Sequence, residues 1–428
     1  MITVIKTPAL FNPALNVNIW QIQSNRTDIQ SFYVTVTDGV NIISKLQLYP
    51  NPSNRQGSAI DLQQILKNVV QTTIKKNDII VQELIDVFSY RLEITEVIYN
   101  VTSNSTSLGE SYTTPFYNVF NGQLPKITMS DYDFATLVAT SASTPKFLTN
   151  KPASVTKYWT TEYLYYLNDG RATGVDIHLN YSTGTIVKPF PINPSFKSGR
   201  VNISPRGLVV NGVSLENLQS FTVNLVAGNT VASQTVTRYY NNLSSDCQDE
   251  VVNMIWSNDL GGIDSMLFKN PQETRKVDKV TIKTNPYSTN SAGFYTATDA
   301  NIYQNNEVII SSDTTSEYTV VSDWLNNAES AWIPSIMSSK AVYVELTNGK
   351  LLPVKVLNDS ATVYNSRYNK GLSQYTLQFQ SESGLLTSIV DRINDASQVG
   401  MIGTTNPDIV LQTADYEYVI GLNGVVRV

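Results

Sequence analysis

A chain of 428 residues with 41% hydrophobic and 15% charged residues is too long for one ordinary core and too poor in charge for long exposed helices, so two or three domains are expected. Its net charge of -6, without a run of lysine or arginine, offers no basic stripe to a phosphate backbone and argues against a nucleic-acid partner. No apolar stretch approaches the roughly 20 residues of a membrane-spanning helix, and Met1 leads into an alternating strand rather than a secretion signal, so synthesis in a cytoplasm without membrane insertion is expected.

Tyr, Thr, Val, Ile, Asn and Ser prevail, the mixture that favours strands joined by polar turns. The expected fold class is mainly β: a multi-domain β-sandwich or barrel with a few short helices. Residues 1–122 read as an N-terminal β domain. Phe32, Val34 and Val36 alternate with Tyr33, Thr35 and Thr37, and Tyr90, Leu92 and Ile94 alternate in the same way. Between them Asp61 stands at an N-cap position ahead of Leu62, Ile65, Leu66 and Val69, which predicts an amphipathic helix over 61–70.

Asn121-Gly122 and Leu124-Pro125 mark a boundary, and residues 123–268 read as a second β-sandwich domain. Tyr158, Trp159, Tyr163, Tyr165 and Tyr166 crowd its first segment, Asn168-Asp169-Gly170 turns the chain, and Val175, Ile177 and Leu179 alternate on the way back. Phe221, Val223 and Leu225 repeat the pattern. The domain ends in a hairpin: Val252, Met254 and Trp256 alternate, Asn258-Asp259 and Gly261-Gly262 supply a solvated reversal, and Ile263 to Phe268 returns.

Residues 269–403 form the third expected β domain. Trp324, Ala328, Trp332 and Ile336 fall four apart and predict a helix over 322–338 that lays both indoles on a sheet, with Pro334 kinking it or ending its first part. Val342, Val344 and Leu346 pair with Leu352, Val354 and Val356 through Asn348-Gly349, a pair suited to a type I′ turn. Residues 404–428 read as an extended C-terminal arm.

Chemistry is hard to assemble from these residues. His178 is the one histidine; with Asp176 and Asn180 it occupies the polar face of a strand, and no nucleophile elbow accompanies it. Cys247 stands alone, which excludes an intrachain disulfide and a cysteine metal cluster. Asp131 and Asp133 lack the remaining ligands of a calcium loop, and no phosphate-binding or dinucleotide fingerprint is present. No catalytic residues, metal or cofactor are expected, and the chain does not read as an enzyme. The aromatic cluster Tyr158, Trp159, Tyr163, Tyr165 and Tyr166 is the best candidate for an interface or a glycan platform, because flat rings stack on sugar faces and on partner side chains. Trp256, Gly261, Gly262, Phe268, Trp324 and Trp332 are assigned structural roles.

The segment Ile255-Trp256-Ser257-Asn258-Asp259-Leu260-Gly261-Gly262-Ile263-Asp264, with Phe268 after it and Cys247 before it, resembles a recurrent pattern in tail proteins of tailed bacteriophages that infect Bacteroidota. Trp324-Leu325, Glu329, Trp332, Val342-Tyr343, Gly349, Pro353-Val354, Leu372 and Gln374-Tyr375 look like the downstream half of the same family, and the Asp61, Leu62, Ile65 helix resembles its N-terminal feature. The resemblance implies a virion structural protein of the distal-tail type, part of a tail or baseplate ring around the tube. It further implies copies of itself as partners, in a hexamer or a trimer of related domains, together with tail tube, hub or fibre proteins. The alternative is a receptor-binding or carbohydrate-binding adhesin of the virion.

Overall fold

In the computed structural model the described residues are 1–124 apart from 75–76 and 101, then 138–139, 146–241, 251–283, 288–289, 291–293, 295–296, 307–345, 350–360, 373–381 and, as backbone, 409–413, 416–421 and 424–427. Cys247, Asp131, Asp133, Leu372 and the Asn348-Gly349 turn lie outside them. The fold is mainly β, with several sheets and one closed barrel. Among the described residues no helix is long and apolar enough to cross a membrane.

The first region packs two sheets. Ile29–Thr37 and Phe88–Asn100 run antiparallel with Val34 opposite Ile94 and Val36 opposite Leu92, so both predicted alternations point into one core. Trp20, from a three-stranded sheet of Ile2–Lys6, Ile19–Ser24 and Gly57–Asp61, fills that core against Tyr90 and Tyr117. The predicted helix is shorter than 61–70. Asp61 ends a strand, and its Oδ1 accepts the Gln63 N–H at 3.0 Å; the helix runs Gln63–Leu66. Beyond it the hydrogen bonds tighten to three-residue spacing at Asn68 and Val69, so the apolar stripe continues in a turn rather than a helix.

The second region contains the antiparallel sheet of Gly174–Tyr181, Gly184–Pro191, Leu218–Ala227, Val236–Tyr240 and the parallel-paired Ser154–Thr156. Val175, Ile177, Leu179, Phe221, Val223 and Leu225 form its core, as the alternation predicts. Against this sheet packs a second one made of Val138–Ala139, Tyr163–Asn168, Ser198–Asn202 and Val81–Leu84. The last of these strands comes from the first region. The boundary at 122 is therefore not clean: Val81–Leu84 pairs antiparallel with Ser198–Val201, where its backbone groups find the partners they lack in their own region.

The boundary at 268 also moves. The hairpin strand Val251–Ser257 pairs on one side with Ile263–Lys269 and on the other with Val342–Glu345, and so belongs to a closed six-stranded barrel with Glu307–Ser322, Thr376–Ser381 and Leu351–Val356. Val342 opposite Val354 and Val344 opposite Leu352 reproduce the expected pairing in the described part of that second hairpin. Met254, Trp256, Phe268, Val320, Val344, Leu377 and Phe379 fill the barrel.

The predicted helix over 322–338 is two short helices, Asn327–Trp332 and Ser335–Ser338, with Pro334 between them. Asn326 starts the first with a capping box: its side chain accepts from Ala328 and Glu329 N–H while the Glu329 carboxylate takes the Asn326 N–H at 3.0 Å. Ser322 belongs to the preceding strand, and Leu325 bridges Ser373. Trp324 thus lies upstream of the cap. It is 55% exposed, whereas Trp332 and Ile336 cover the barrel core. The expectation of two indoles side by side on the sheet holds for Trp332 and fails for Trp324.

Two strands of the barrel overrun it. Ile263–Lys283 and Glu307–Ser322 remain paired as far as Lys283 and Glu307, but among the described residues the third strand, Thr376–Ser381, reaches only Glu317. Residues 275–283 and their partners therefore extend as a two-stranded ribbon for roughly 30 Å, at about 3.3 Å per residue. At the other end of the chain, Ile409–Thr413, Tyr416–Gly421 and Gly424–Arg427 form an antiparallel meander, so the C-terminal segment folds onto itself and is not an extended arm.

Candidate functional site

The aromatic segment does not make one platform. Tyr163–Asn168 is buried along its whole length because it lies between two cores: Tyr163 and Tyr165 face the junction of the three regions, and Tyr166 faces the second region's sandwich. Tyr165 donates its hydroxyl to the Thr73 carbonyl at 2.6 Å and accepts from Arg200 at 3.3 Å, while the Arg200 guanidinium lies 4.3 Å from the Tyr163 ring centroid. Burial pushes the Tyr165 phenol up to about 12 and that of Tyr166 up as well. Only Tyr158 and Trp159 reach solvent. They form an edge-to-face pair with centroids 4.9 Å apart, in a turn closed by the Thr160 N–H on the Lys157 carbonyl. A run of aromatics at mixed spacing had hidden a strand with no exposed face.

Of the hairpin tip that the sequence places in water, Asp259 is exposed and Asn258 half-buried, whereas Leu260, Gly261 and Gly262 are buried at the junction. Gly261, at φ +91°, would put a Cβ 2.4 Å from the Asn121 carbonyl oxygen; a Cβ on Gly262 would lie 2.1 Å from that of Leu148. These glycines are required by backbone approaching backbone as much as by the turn. Thr72 donates to the Gly261 carbonyl at 3.0 Å, Gln123 N–H to the Asp259 carbonyl at 2.6 Å, and the Asn258 amide to the Leu148 carbonyl at 2.8 Å. Phe11, Leu84, Phe120, Leu148, Tyr165, Ile255, Leu260 and Ile263 close an apolar cluster around them. Trp256 and Phe268 are fully buried in the barrel; Trp256 packs on Trp332 at 5.1 Å and donates its indole N–H to Ser335 Oγ at 3.0 Å. His178 sits half-buried between Val187 and Thr222, on the polar face assigned to it.

Between the second region and the barrel lies a buried set of charges. Glu162 accepts from Arg238 Nε at 2.8 Å, forms ion pairs with Arg238 Nη2 at 2.6 Å and Lys151 Nζ at 3.1 Å, and all three side chains are sealed from water. Lys151 also donates to the Ser265 carbonyl at 2.9 Å. Next to it Asp264 accepts from Thr149 at 2.6 Å and from the Trp332 indole at 2.7 Å. Burial alone would raise the Glu162 carboxyl, but the guanidinium of Arg238 and the ammonium of Lys151 overcome it and hold it at about 2. Burial lowers Lys151 and raises Asp264. The two cations and two carboxylates balance, as charges this deep must. This cluster was legible in part: Arg238 falls between Val236 and Tyr240 on the inward phase of its strand, and a charge on an inward position calls for a buried partner.

Above the cluster opens a cleft of 570 Å³, walled on one side by Lys157, Tyr239 and Asn241 and on the other by Asp323, Trp324, Asn326 and Glu329, with Leu325 and Trp332 in its floor. Asp323 is held by Lys269 at 2.9 Å and Lys157 at 3.4 Å, an ion pair that spans the two regions.

No family model and no curated protein matches this chain. Among solved structures it is similar to a marsupial T cell receptor at 7% identity and a TM-score of 0.17, over 75% of this chain and 95% of that one. A likeness at that level says nothing about fold or function.

Proposed function

We propose that this chain is a structural, non-catalytic subunit of a phage tail or baseplate, assembling with copies of itself in a ring around the distal tail tube. The observation that carries this reading is the ribbon. Beyond the barrel its two strands have no third neighbour among the described residues, and it holds Val277, Val280, Ile282, Val308, Ile309 and Ile310 largely in water. A two-stranded hairpin is marginal by itself in water, and an apolar cluster on its surface adds a cost that another surface removes. An arm anchored in a rigid barrel and reaching roughly 30 Å past it suits contact with the next subunit of a closed ring. The junction supports the same reading, because the Gly261-Gly262 contacts and the Asp323 ion pairs bind the three regions into a stiff unit.

The test is cryo-electron microscopy of the particle. A ring about the tail axis, with each ribbon seated on its neighbour, is the expected result. A lone copy away from that axis, or absence from virions, removes the proposal.

A further inference from the structure

Two large rings remain in water where the second region meets the barrel. Trp324 is 55% exposed and Tyr239 is 52% exposed, and both line the 570 Å³ cleft. Neither hangs on a loose tether. Tyr239 lies within a strand paired on both sides, to Val155 and to Ser220. Trp324 is fixed between the end of a barrel strand and the Leu325–Ser373 bridge, whose two backbone hydrogen bonds are 2.8 and 3.1 Å long. The capped helix follows at once. Exposing an indole to water forgoes a large apolar burial, so a rigid, exposed indole at the mouth of a concave site points to a ligand.

The groups beside these rings define the ligand chemistry. Asp323, Asn326 and Glu329 present planar oxygens and an amide, held in place by the Lys269 ion pair and the capping box, and each carboxylate keeps acceptor sites beyond those bonds. The cleft lies within the range of about 300–1,000 Å³ typical of small-ligand sites and is concave, which does not suit a flat protein surface. Lys157 and Lys269 offset Asp323 and Glu329, and Lys151, which also lines the cleft, is paired with the buried Glu162, so the walls carry no excess sign for a polyanion. A pyranose ring has one apolar C–H face and a rim of hydroxyls, and therefore needs a flat aromatic surface flanked by planar hydrogen-bonding groups.

We propose that this cleft binds a short neutral oligosaccharide, with one pyranose stacked on Trp324, another against Tyr239, and hydroxyls hydrogen-bonded to Asp323, Asn326 and Glu329. The site differs from the segment 158–166, whose buried tyrosines are unavailable to any ligand. It does not depend on the ring reading, since a free subunit carries the whole cleft.

The experiment screens the purified chain on an array of neutral and uronic-acid-containing bacterial surface oligosaccharides, and then titrates the best binder by calorimetry. Binding to a neutral oligosaccharide is expected, at least tenfold weaker in Trp324→Ala and in Tyr239→Ala and unchanged in Trp159→Ala. Both lost rings are exposed, so the melting temperatures of those variants should match the parent and separate loss of binding from loss of fold. No retained neutral sugar, retention of acidic sugars alone, binding indifferent to Trp324→Ala and Tyr239→Ala, or equal loss in Trp159→Ala each overturns the proposal. A ring seen in virions without sugar binding leaves the ring reading standing and removes this one; the reverse outcome does the opposite.

Discussion

Trp332 donates its indole N–H to Asp264 Oδ2 at 2.7 Å, so the helix that covers the barrel and the return strand of the first hairpin share one buried carboxylate. Replacing Trp332 with Phe keeps most of the ring but leaves that oxygen without its donor. A loss of about 2 kcal/mol is expected, read as a lower urea midpoint with an unchanged slope.

Glu162 gives the fold an acid limit. Its carboxyl falls from 4.5 to about 2 on folding because Arg238 and Lys151 outweigh its burial. A group whose folded value is depressed contributes stability that is present above the unfolded value and is lost as pH falls through the folded one. Stability should thus decline between about pH 4.5 and pH 2, by about 3 kcal/mol from this group. Urea midpoints measured across that window check it, and a flat profile would count against the pairing.

Trp256→Ala should cost about 3 to 5 kcal/mol, because the ring is fully buried, packs on Trp332 and satisfies its N–H on Ser335. Thermal melting of the purified variant reads this directly. A midpoint within a degree of the parent would contradict the burial.

Gly262→Ala forces a methyl group onto the Leu148 carbonyl, and backbone on both sides prevents an easy retreat. The expected effect is a loss of about 3 kcal/mol or more, with the barrel melting separately from the first two regions in a calorimetric scan. A single transition at the parent temperature would show that the junction yields.

His178→Ala should stay within about 0.5 kcal/mol of the parent by chemical denaturation, since the side chain lies half-buried on the polar face of its strand.

The strands were legible where one face meets water and the other a core: Phe32 to Val36 and Val175 to Leu179 both alternate as they read. Period alone could not show two things. Tyr163–Asn168 is covered on both sides, so its tyrosines read as a platform when they are core. Gly261-Gly262 reads as a solvated turn because a glycine gives the same letter whether it bends the chain or admits another backbone. The helix start was misplaced for a similar reason: Trp324 has the four-residue spacing to Trp332, but the reciprocal cap at Asn326 and Glu329 decides where the helix begins. The cleft draws Tyr239 and Trp324 together from positions 85 residues apart, and no local pattern records that meeting.

The strand Val81–Leu84 has a consequence for how the chain comes into being. Its partners, Ser198 to Val201, are made well over a hundred residues later. At a synthesis rate of about 5–20 residues per second the strand waits roughly 6 to 24 s with both backbone edges unmated, open to the same segment on a neighbouring nascent chain. A fragment ending at residue 122 would hold it in that state permanently and should precipitate. One carried through to residue 241 supplies the partner and should remain in solution.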